Sequence, residues 1–202
     1  MIDTGSPFAV VCPLSVIEDK GVFNKQEVIK SRGTFLKWPF TTADYNYISK
    51  AKTLRFGDLT VDNILVYFAE LPAMFTSPLL GKEFLEHYIT TIDFAENKVF
   101  LEQIDDEFKD NLYSVGLAVK KLENKTIVRG IWQNSPADQC GIQINDEIIS
   151  INDQETQKLT LHQIDSLLED PAVPEISLLL ENEGGVRSVT LEKKYLIRRQ
   201  NK

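Results

Sequence analysis

A mainly β fold in two consecutive units is what this sequence predicts, and three observations predict it. Up to Gln103, short apolar runs alternate with turn residues. An acidic stretch, residues 104–111 with Asp105, Asp106, Glu107 and Asp110, then interrupts the pattern. From Leu112 onward a different arrangement begins, in which strands are punctuated by two helices with recognisable caps.

In chain order, Phe8 to Cys12 is an apolar run bounded by prolines and reads as a strand. Residues 18–50 have no clear period and read as loops, one hairpin and a helical turn. Leu54 to Phe56, Leu59 to Val61 and Ile64 to Glu70 are strand pieces set around turns at Gly57-Asp58 and Asp62-Asn63. Lys82 to Tyr88 follows a glycine and reads as a short helix. Ile89 to Phe94 and Lys98 to Glu102 form a hairpin across Ala95 to Asn97.

In the second unit, Val115 to Val119 and Ile127 to Trp132 are strands. Ser135 caps a short helix with Pro136 at its first position, and Gly141 ends it. Glu147 to Ile151 is a strand closed by the turn Asn152-Asp153. Thr160 caps the second helix with Gln163 as its capping-box partner, and Leu161, Ile164, Leu167 and Leu168 give that helix one apolar face. Glu175 to Leu180 and Arg187 to Leu191 pair across Glu183-Gly184-Gly185.

Composition narrows the function classes. The 202 residues suffice for one large or two ordinary domains, and 43% apolar with 26% charged is ordinary for a soluble globular protein. The net charge of −8 and the lack of a basic patch with interleaved aromatics argue against nucleic acid as a partner. Lys193, Lys194, Arg198, Arg199 and Lys202 read as a solvated tail. Cys12 and Cys140 have no metal-ligand spacing and read as two buried free thiols. With His87 and His162 the only histidines, no metal site is expected. No run is long enough to span a bilayer, and no signal-peptide pattern is present.

Two segments carry chemistry. Asn134 to Asn152, Asn-Ser-Pro-Ala-Asp-Gln-Cys-Gly-Ile-Gln-Ile-Asn-Asp-Glu-Ile-Ile-Ser-Ile-Asn, resembles the central motif of PDZ domains of the bacterial protease type, and the resemblance spans residues 112–198. Cys140, Asn145 and Asp153 depart from the family's usual Ala, Gly and Gly; Asn and Asp tolerate left-handed backbone, so the fold is expected to survive. The resemblance implies capture of a peptide C-terminus or extended segment by strand addition. Tyr113, Ser114, Val115, Gly116 and Leu117 would be the carboxylate loop, with Gly116 permitting close approach and Leu117 lining the pocket. The helix from Leu161 would be the opposite wall. His162, near its start, reads either as an exposed helix residue or as a donor to a peptide hydroxyl.

Ile2-Asp3-Thr4-Gly5-Ser6-Pro7 is the second segment. As a bare motif it also reads as a plain turn. With Pro78-Leu79-Leu80-Gly81, the helix after it and the hairpin to Glu102, residues 1–103 resemble the latter part of a retropepsin-like aspartic peptidase domain. The fold implied is a retropepsin-like acid-protease half-barrel, joined through the acidic linker 104–111 to the PDZ domain. The function implied is aspartic-type endopeptidase action on peptides or unfolded protein, with no metal or organic cofactor. Asp3 would be the catalytic carboxylate, Thr4 would bond across to the partner loop, Gly5 would leave room for substrate and Ser6 would donate to Asp3. Ile29 to Tyr47 is the flap candidate, with Trp38, Phe40 and Tyr45 reading as core aromatics.

No second Asp-Thr/Ser-Gly occurs, so activity would require a homodimer. The family also has strands before its aspartate, where this sequence has Met1 and Ile2. A truncated chain, a fold that closes differently and an inert site all remain open. The alternative function is therefore a catalytically inert peptidase-like fragment acting as a PDZ peptide-binding or scaffold protein. The compartment is left open by the residues; the PDZ type implies the bacterial cell envelope or periplasm.

Overall fold

The computed structural model describes residues 1–19, 28–105, 108 and 112–197. The fold is mainly β, and one eleven-stranded sheet runs through both segments. The strands and helices of the first segment are β1 (Val10–Pro13), α1 (Leu14–Asp19), β2 (Val28–Gly33), β3 (Tyr47–Phe56), β4 (Leu59–Ala69), β5 (Leu79–Leu80), α2 (Lys82–Leu85), β6 (Tyr88–Asp93) and β7 (Lys98–Gln103). The second segment contributes β8 (Leu112–Ser114), β9 (Leu117–Leu122), β10 (Lys125–Trp132), α3 (Pro136–Gln139), β11 (Glu147–Ile151), β12 (Gln154–Glu155), α4 (Leu161–Glu169), β13 (Glu175–Asn182), β14 (Gly185–Glu192) and β15 (Lys194–Ile197).

The long path of the sheet is β14-β13-β11-β10-β2-β3-β4-β1-β5, with β9 also on β10 and β12 also on β11. All of β1 is buried, as its apolar run requires, and it lies parallel to β4 and antiparallel to β5. The β3–β4 ladder keeps one register from Tyr47↔Phe68 to Phe56↔Leu59, skipping only Lys52 and Asn63. Asp62-Asn63, expected to be a turn, lies within β4: Asn63 takes φ 59° there and the register runs on unbroken. The long ladder overrides the local turn preference. The Gly57-Asp58 turn forms as expected.

Both helix caps in the second segment are present. The Ser135 side chain accepts from the Asp138 amide, and Thr160 and Gln163 make a complete capping box. Val115 to Val119 is not one strand: Val115 and Gly116, with φ 84° at Gly116, separate β8 from β9. β8 pairs with β15, a strand the sequence reading placed in a solvated tail. Lys193 at its edge is buried and donates to the Asp170 carbonyl at 2.5 Å, and burial pulls its pKa below the usual lysine value. Arg198, Arg199 and Lys202 lie outside the described residues.

Each segment has its own apolar cluster, built around Val128, Ile148 and Ile164 in one case and Val10, Ile64 and Phe84 in the other. A third cluster joins them: Ile48 and Leu65 of the first segment pack with Trp132 and Ile197 of the second. Trp132 is 1% exposed, and its ring stacks on Phe35 at 4.0 Å. Beside this cluster β2 pairs antiparallel with β10, Gly33 opposite Gly130 and Ser31 opposite Trp132. The Thr34 amide donates to the Arg129 carbonyl at 2.8 Å, the Arg129 guanidinium returns a bond to the Phe35 carbonyl at 2.6 Å, and Arg32 pairs with Asp138 at 2.7 Å. Of the expected linker, Phe108 is described, and it packs on His87 with ring centroids 4.2 Å apart.

Cys12 is buried and its thiol is pushed up to about 11 by that burial. Cys140 is exposed, against expectation, because it sits at the C-terminus of a one-turn helix whose buried residues are Pro136 and Ala137.

Candidate functional sites

The Asp3 turn is held by the strand beneath it. The Asp3 amide donates to the Leu80 carbonyl at 2.9 Å, and the Leu80 amide donates to the Met1 carbonyl at 2.8 Å. The Ser6 amide returns to the Asp3 carbonyl at 3.2 Å, and the Lys82 amide donates to the Ser6 carbonyl at 2.7 Å. The turn is thus clamped between β5 and the first residue of α2. Gly81 is what allows the clamp. A Cβ there would overlap the Phe8 carbonyl oxygen and stand 2.7 Å from the Ser6 carbonyl oxygen.

Within the turn, the Gly5 amide donates to Asp3 Oδ1 at 3.0 Å, which fixes the carboxylate against its own backbone. Asp3 is half-buried, while Thr4 and Gly5 are exposed on the rim. Ser6 is buried and its Oγ has no hydrogen-bond partner among the described residues, so it does not donate to Asp3. The structure therefore brings Asp3, Thr4 and Gly5 together at the surface and turns Ser6 inward, toward Gly81.

The segment 34–46, which connects β2 to β3, is pinned at its base and flank. Asn46 Oδ1 accepts from the Phe35 and Leu36 amides at 2.7 and 3.0 Å. The Glu70 carboxylate accepts from the Thr42 and Ala43 amides at 2.6 and 2.5 Å, bonds that hold its pKa below the ordinary value. Trp38 packs against Phe75, with centroids 5.1 Å apart. Phe40, expected in the core, is fully exposed at φ 65°, because Trp38-Pro39-Phe40-Thr41 is a tight turn closed by Thr41 Oγ1 on the Trp38 carbonyl at 2.7 Å.

The second site surrounds Gly116. Its carbonyl accepts from the Trp132 amide at 3.0 Å, and the Val115 carbonyl accepts from the Ala137 amide at 3.0 Å, so the loop is strapped to β10 and α3. Val115 and Leu117 are both buried in the core cluster. The Gly116 amide is taken by Ser114 Oγ at 2.9 Å. A Cβ at Gly116 would overlap the Ser135 side chain, so the glycine is required by packing against the α3 cap. Tyr113 faces Tyr195 across the β8–β15 pair, centroids 4.9 Å apart.

Beyond the loop, β9 pairs with β10 along one edge, and among the described residues its other edge is unpaired. The helix α4 packs beside β9 and turns Ile164 and Leu168 inward. His162 is exposed on its first turn. Asp165, one turn further on the same face, was not singled out by sequence reasoning. Burial pushes its carboxyl up, and Arg129 and His162 hold it back. Its spacing of three from His162 was the available signal. Arg129 is the extra residue of a bulge in β10, where Val128 faces Val119 and Gly130 faces Ala118. Burial lowers its pKa while Asp165 supports its charge.

The site thus consists of a strapped loop, an edge strand open on one side among the described residues, and a capped helix beside that strand. Residues 127–182 match the PDZ-domain family model, and this segment is a PDZ domain. No curated protein matches the chain. Among solved structures the chain is similar to the PDZ domain of a carboxy-terminal protease from Vibrio cholerae in complex with peptide: 18% identity, 44% of this chain and 99% of that one, TM-score 0.39. It is similar to a PDZ domain protein from Parabacteroides distasonis at 21% identity, over 42% of this chain and 20% of that one, TM-score 0.38. It is also similar to the HtrA-type protease AlgW with decapeptide at 12% identity, over 86% of this chain and 62% of that one, TM-score 0.40.

Proposed function

We propose that this chain is a peptide-handling protein with two working parts: a PDZ groove that takes extended segments or C-termini of peptides, and an Asp3 site that hydrolyses peptide bonds when two copies meet. The observation that carries the first part is the edge of β9, unpaired among the described residues, beside α4; β9 directly precedes the residues 127–182 that match the PDZ-domain family, and α4 lies within them. A peptide laid on that edge would extend the sheet by one strand.

What supports the second part is the Asp3 turn, seated on Leu80 and Gly81 with Gly5 bonded to the carboxylate and Thr4 on the rim. Two such carboxylates brought together share one proton, since both cannot ionise at close range. The ionised carboxylate takes a proton from water, and the water oxygen attacks the scissile carbonyl carbon. The protonated carboxyl gives its proton to the carbonyl oxygen. As the tetrahedral species collapses, a proton passes to the amide nitrogen and the C–N bond breaks. This resembles the retropepsin-like mechanism and requires a homodimer, because each copy supplies one aspartate.

A binding protein without hydrolysis is the second reading, favoured by the lack of any bond from Ser6 to Asp3. Cleavage of an unfolded protein, followed from acidic to neutral pH at several protein concentrations beside Asp3→Asn, separates the two. Cleavage that rises faster than linearly with protein and vanishes in the variant supports the dimeric aspartate. Equal cleavage by both proteins, or none by either, removes Asp3 from the reading and leaves peptide binding. Titration of labelled peptides with free and amidated C-termini then tests the groove.

A further inference from the structure

Among the described residues the ribbon formed by β6 and β7 pairs with no strand of the main sheet; Tyr88 and Leu101 pack one face of its base against the Phe84 cluster, and the face bearing Phe100 is open. A lone two-stranded ribbon is marginal in water unless something adds strands or covers a face. This one exposes Ile89, Ile92, Phe94, Val99, Phe100 and Ile104, with Phe94 84% and Phe100 55% open to solvent. That concentration of large apolar side chains on one hairpin is more than scattered surface residues account for. Among the described residues the outer edge of β7 is unpaired, which leaves a row of backbone donors and acceptors ready for another strand.

The occupant is indicated by the sequence of β7. Lys98-Val99-Phe100-Leu101-Glu102 places a cation and an anion symmetrically about Phe100. Side chains alternate along a strand, so Lys98, Phe100 and Glu102 share one face, and all three are exposed. If two copies of β7 pair antiparallel about a two-fold axis through Phe100, residue i faces residue 200 − i of the other copy. Lys98 then meets Glu102 of the second copy, Glu102 meets its Lys98, and the two Phe100 rings meet at the axis. Val99 falls opposite Leu101, and no like charges face each other along the strand.

The geometry points to β7 as the self-association surface of this chain, a four-stranded ribbon β6-β7-β7-β6 built from two copies. This deepens the proposed function only in that Asp3 hydrolysis also needs a second copy; the surface stands on the ribbon's own exposure and charge pattern.

Sedimentation equilibrium of the full chain with Lys98→Glu, Glu102→Lys and the double exchange tests it. Each single change replaces two symmetry-related attractive pairs by repulsive ones, and should raise the dimer dissociation constant about tenfold or more. The double exchange should restore it. Lys98 also contacts Glu96 within its own copy at 3.4 Å and faces Asp93. The double variant keeps that intrachain loss, so its recovery can come only from across the interface. A wild type that stays monomeric at every concentration overturns the inference, and so do four proteins that dimerise alike or a double exchange no better than the singles. Cleavage assayed in parallel separates the two proposals. Dimerisation that follows the charges without cleavage removes the Asp3 reading alone, and cleavage with dimerisation indifferent to the charges removes this surface alone.

Discussion

Truncating Trp132 to alanine should unsettle a part of the protein in which Trp132 does not lie. The side chain is 1% exposed and sits where the clusters of the two segments meet, with Ile48 and Leu65 on one side and Ile197 on the other. Removing a buried ring costs about 3–5 kcal/mol, more when the neighbours cannot close over the space. Here the β2–β10 ladder fixes the spacing on both sides, so a value in the upper half of that range is expected. The Phe35 stack at 4.0 Å adds a pair term of about 0.5–1.5 kcal/mol. Against a total stability of about 5–15 kcal/mol, the loss is a large fraction. The chain has two tryptophans, so Trp132→Phe and Trp132→Ala both leave Trp38 as the sole indole, and Trp38 lies in the first segment. Urea unfolding followed by Trp38 emission should show a clearly lower midpoint in Trp132→Ala than in Trp132→Phe, coincident with the far-ultraviolet transition. A Trp38 midpoint unmoved between the two, with the circular dichroism curve splitting into two steps, would refute the claim that one sheet and one shared cluster join the segments.

Four further outcomes follow from single contacts. Gly81→Ala forces its new Cβ against the Phe8 and Ser6 carbonyls and should cost about 1–3 kcal/mol by overpacking, read as a lower urea midpoint together with loss of any Asp3-dependent cleavage. Ser6→Ala removes a buried hydroxyl that bonds nothing among the described residues; the thermal midpoint should hold or rise, and a fall would show that the hydroxyl has a partner. Glu70 has a folded pKa below its ordinary 4.5 through its bonds from Ala43 and Thr42, so its contribution is present above that value and fades as pH falls through the lower folded one; the gap in thermal midpoint between wild type and Glu70→Gln should close in the same window. Thr160→Ala breaks the capping box of α4 and should cost about 1 kcal/mol, measured by urea unfolding.

What the sequence made legible was what short-range chemistry decides. Ser135 and Thr160 cap their helices because a hydroxyl accepting an orphan amide is a local event. The Glu183-Gly184 turn joins β13 to β14 for the same kind of reason. Phe40 was misplaced because hydrophobicity was weighed above the Pro39 turn that carries it outward. Asp62-Asn63 was read as a turn because residue preference was weighed above the ladder on either side. Lys193 was read as a tail residue because charge was weighed above its place at the start of β15. For Asp62-Asn63 and Lys193 a longer-range partner outvoted the local preference; for Phe40 a local turn outvoted hydrophobicity.

The seam between the segments escaped for a related reason, yet it did leave a trace. Val28 to Gly33 has no alternation that marks a strand; its first half pairs with β3 and its second half with β10. Glycine in a strand is unfavourable unless another backbone must come close, and here Gly33 lies opposite Gly130. A Cβ on Gly33 would overlap the Arg129 carbonyl; one on Gly130 would stand 2.9 Å from the Thr34 carbonyl and 3.0 Å from the Phe35 ring. Each glycine is explained by the segment that faces it, and Gly33 also by its own left-handed backbone at φ 64°. The Arg129 bulge completes the fit, presenting its carbonyl to Thr34 and its guanidinium to Phe35. Two glycines about a hundred positions apart were therefore one signal, and it could be read only by asking what each of them would otherwise be for.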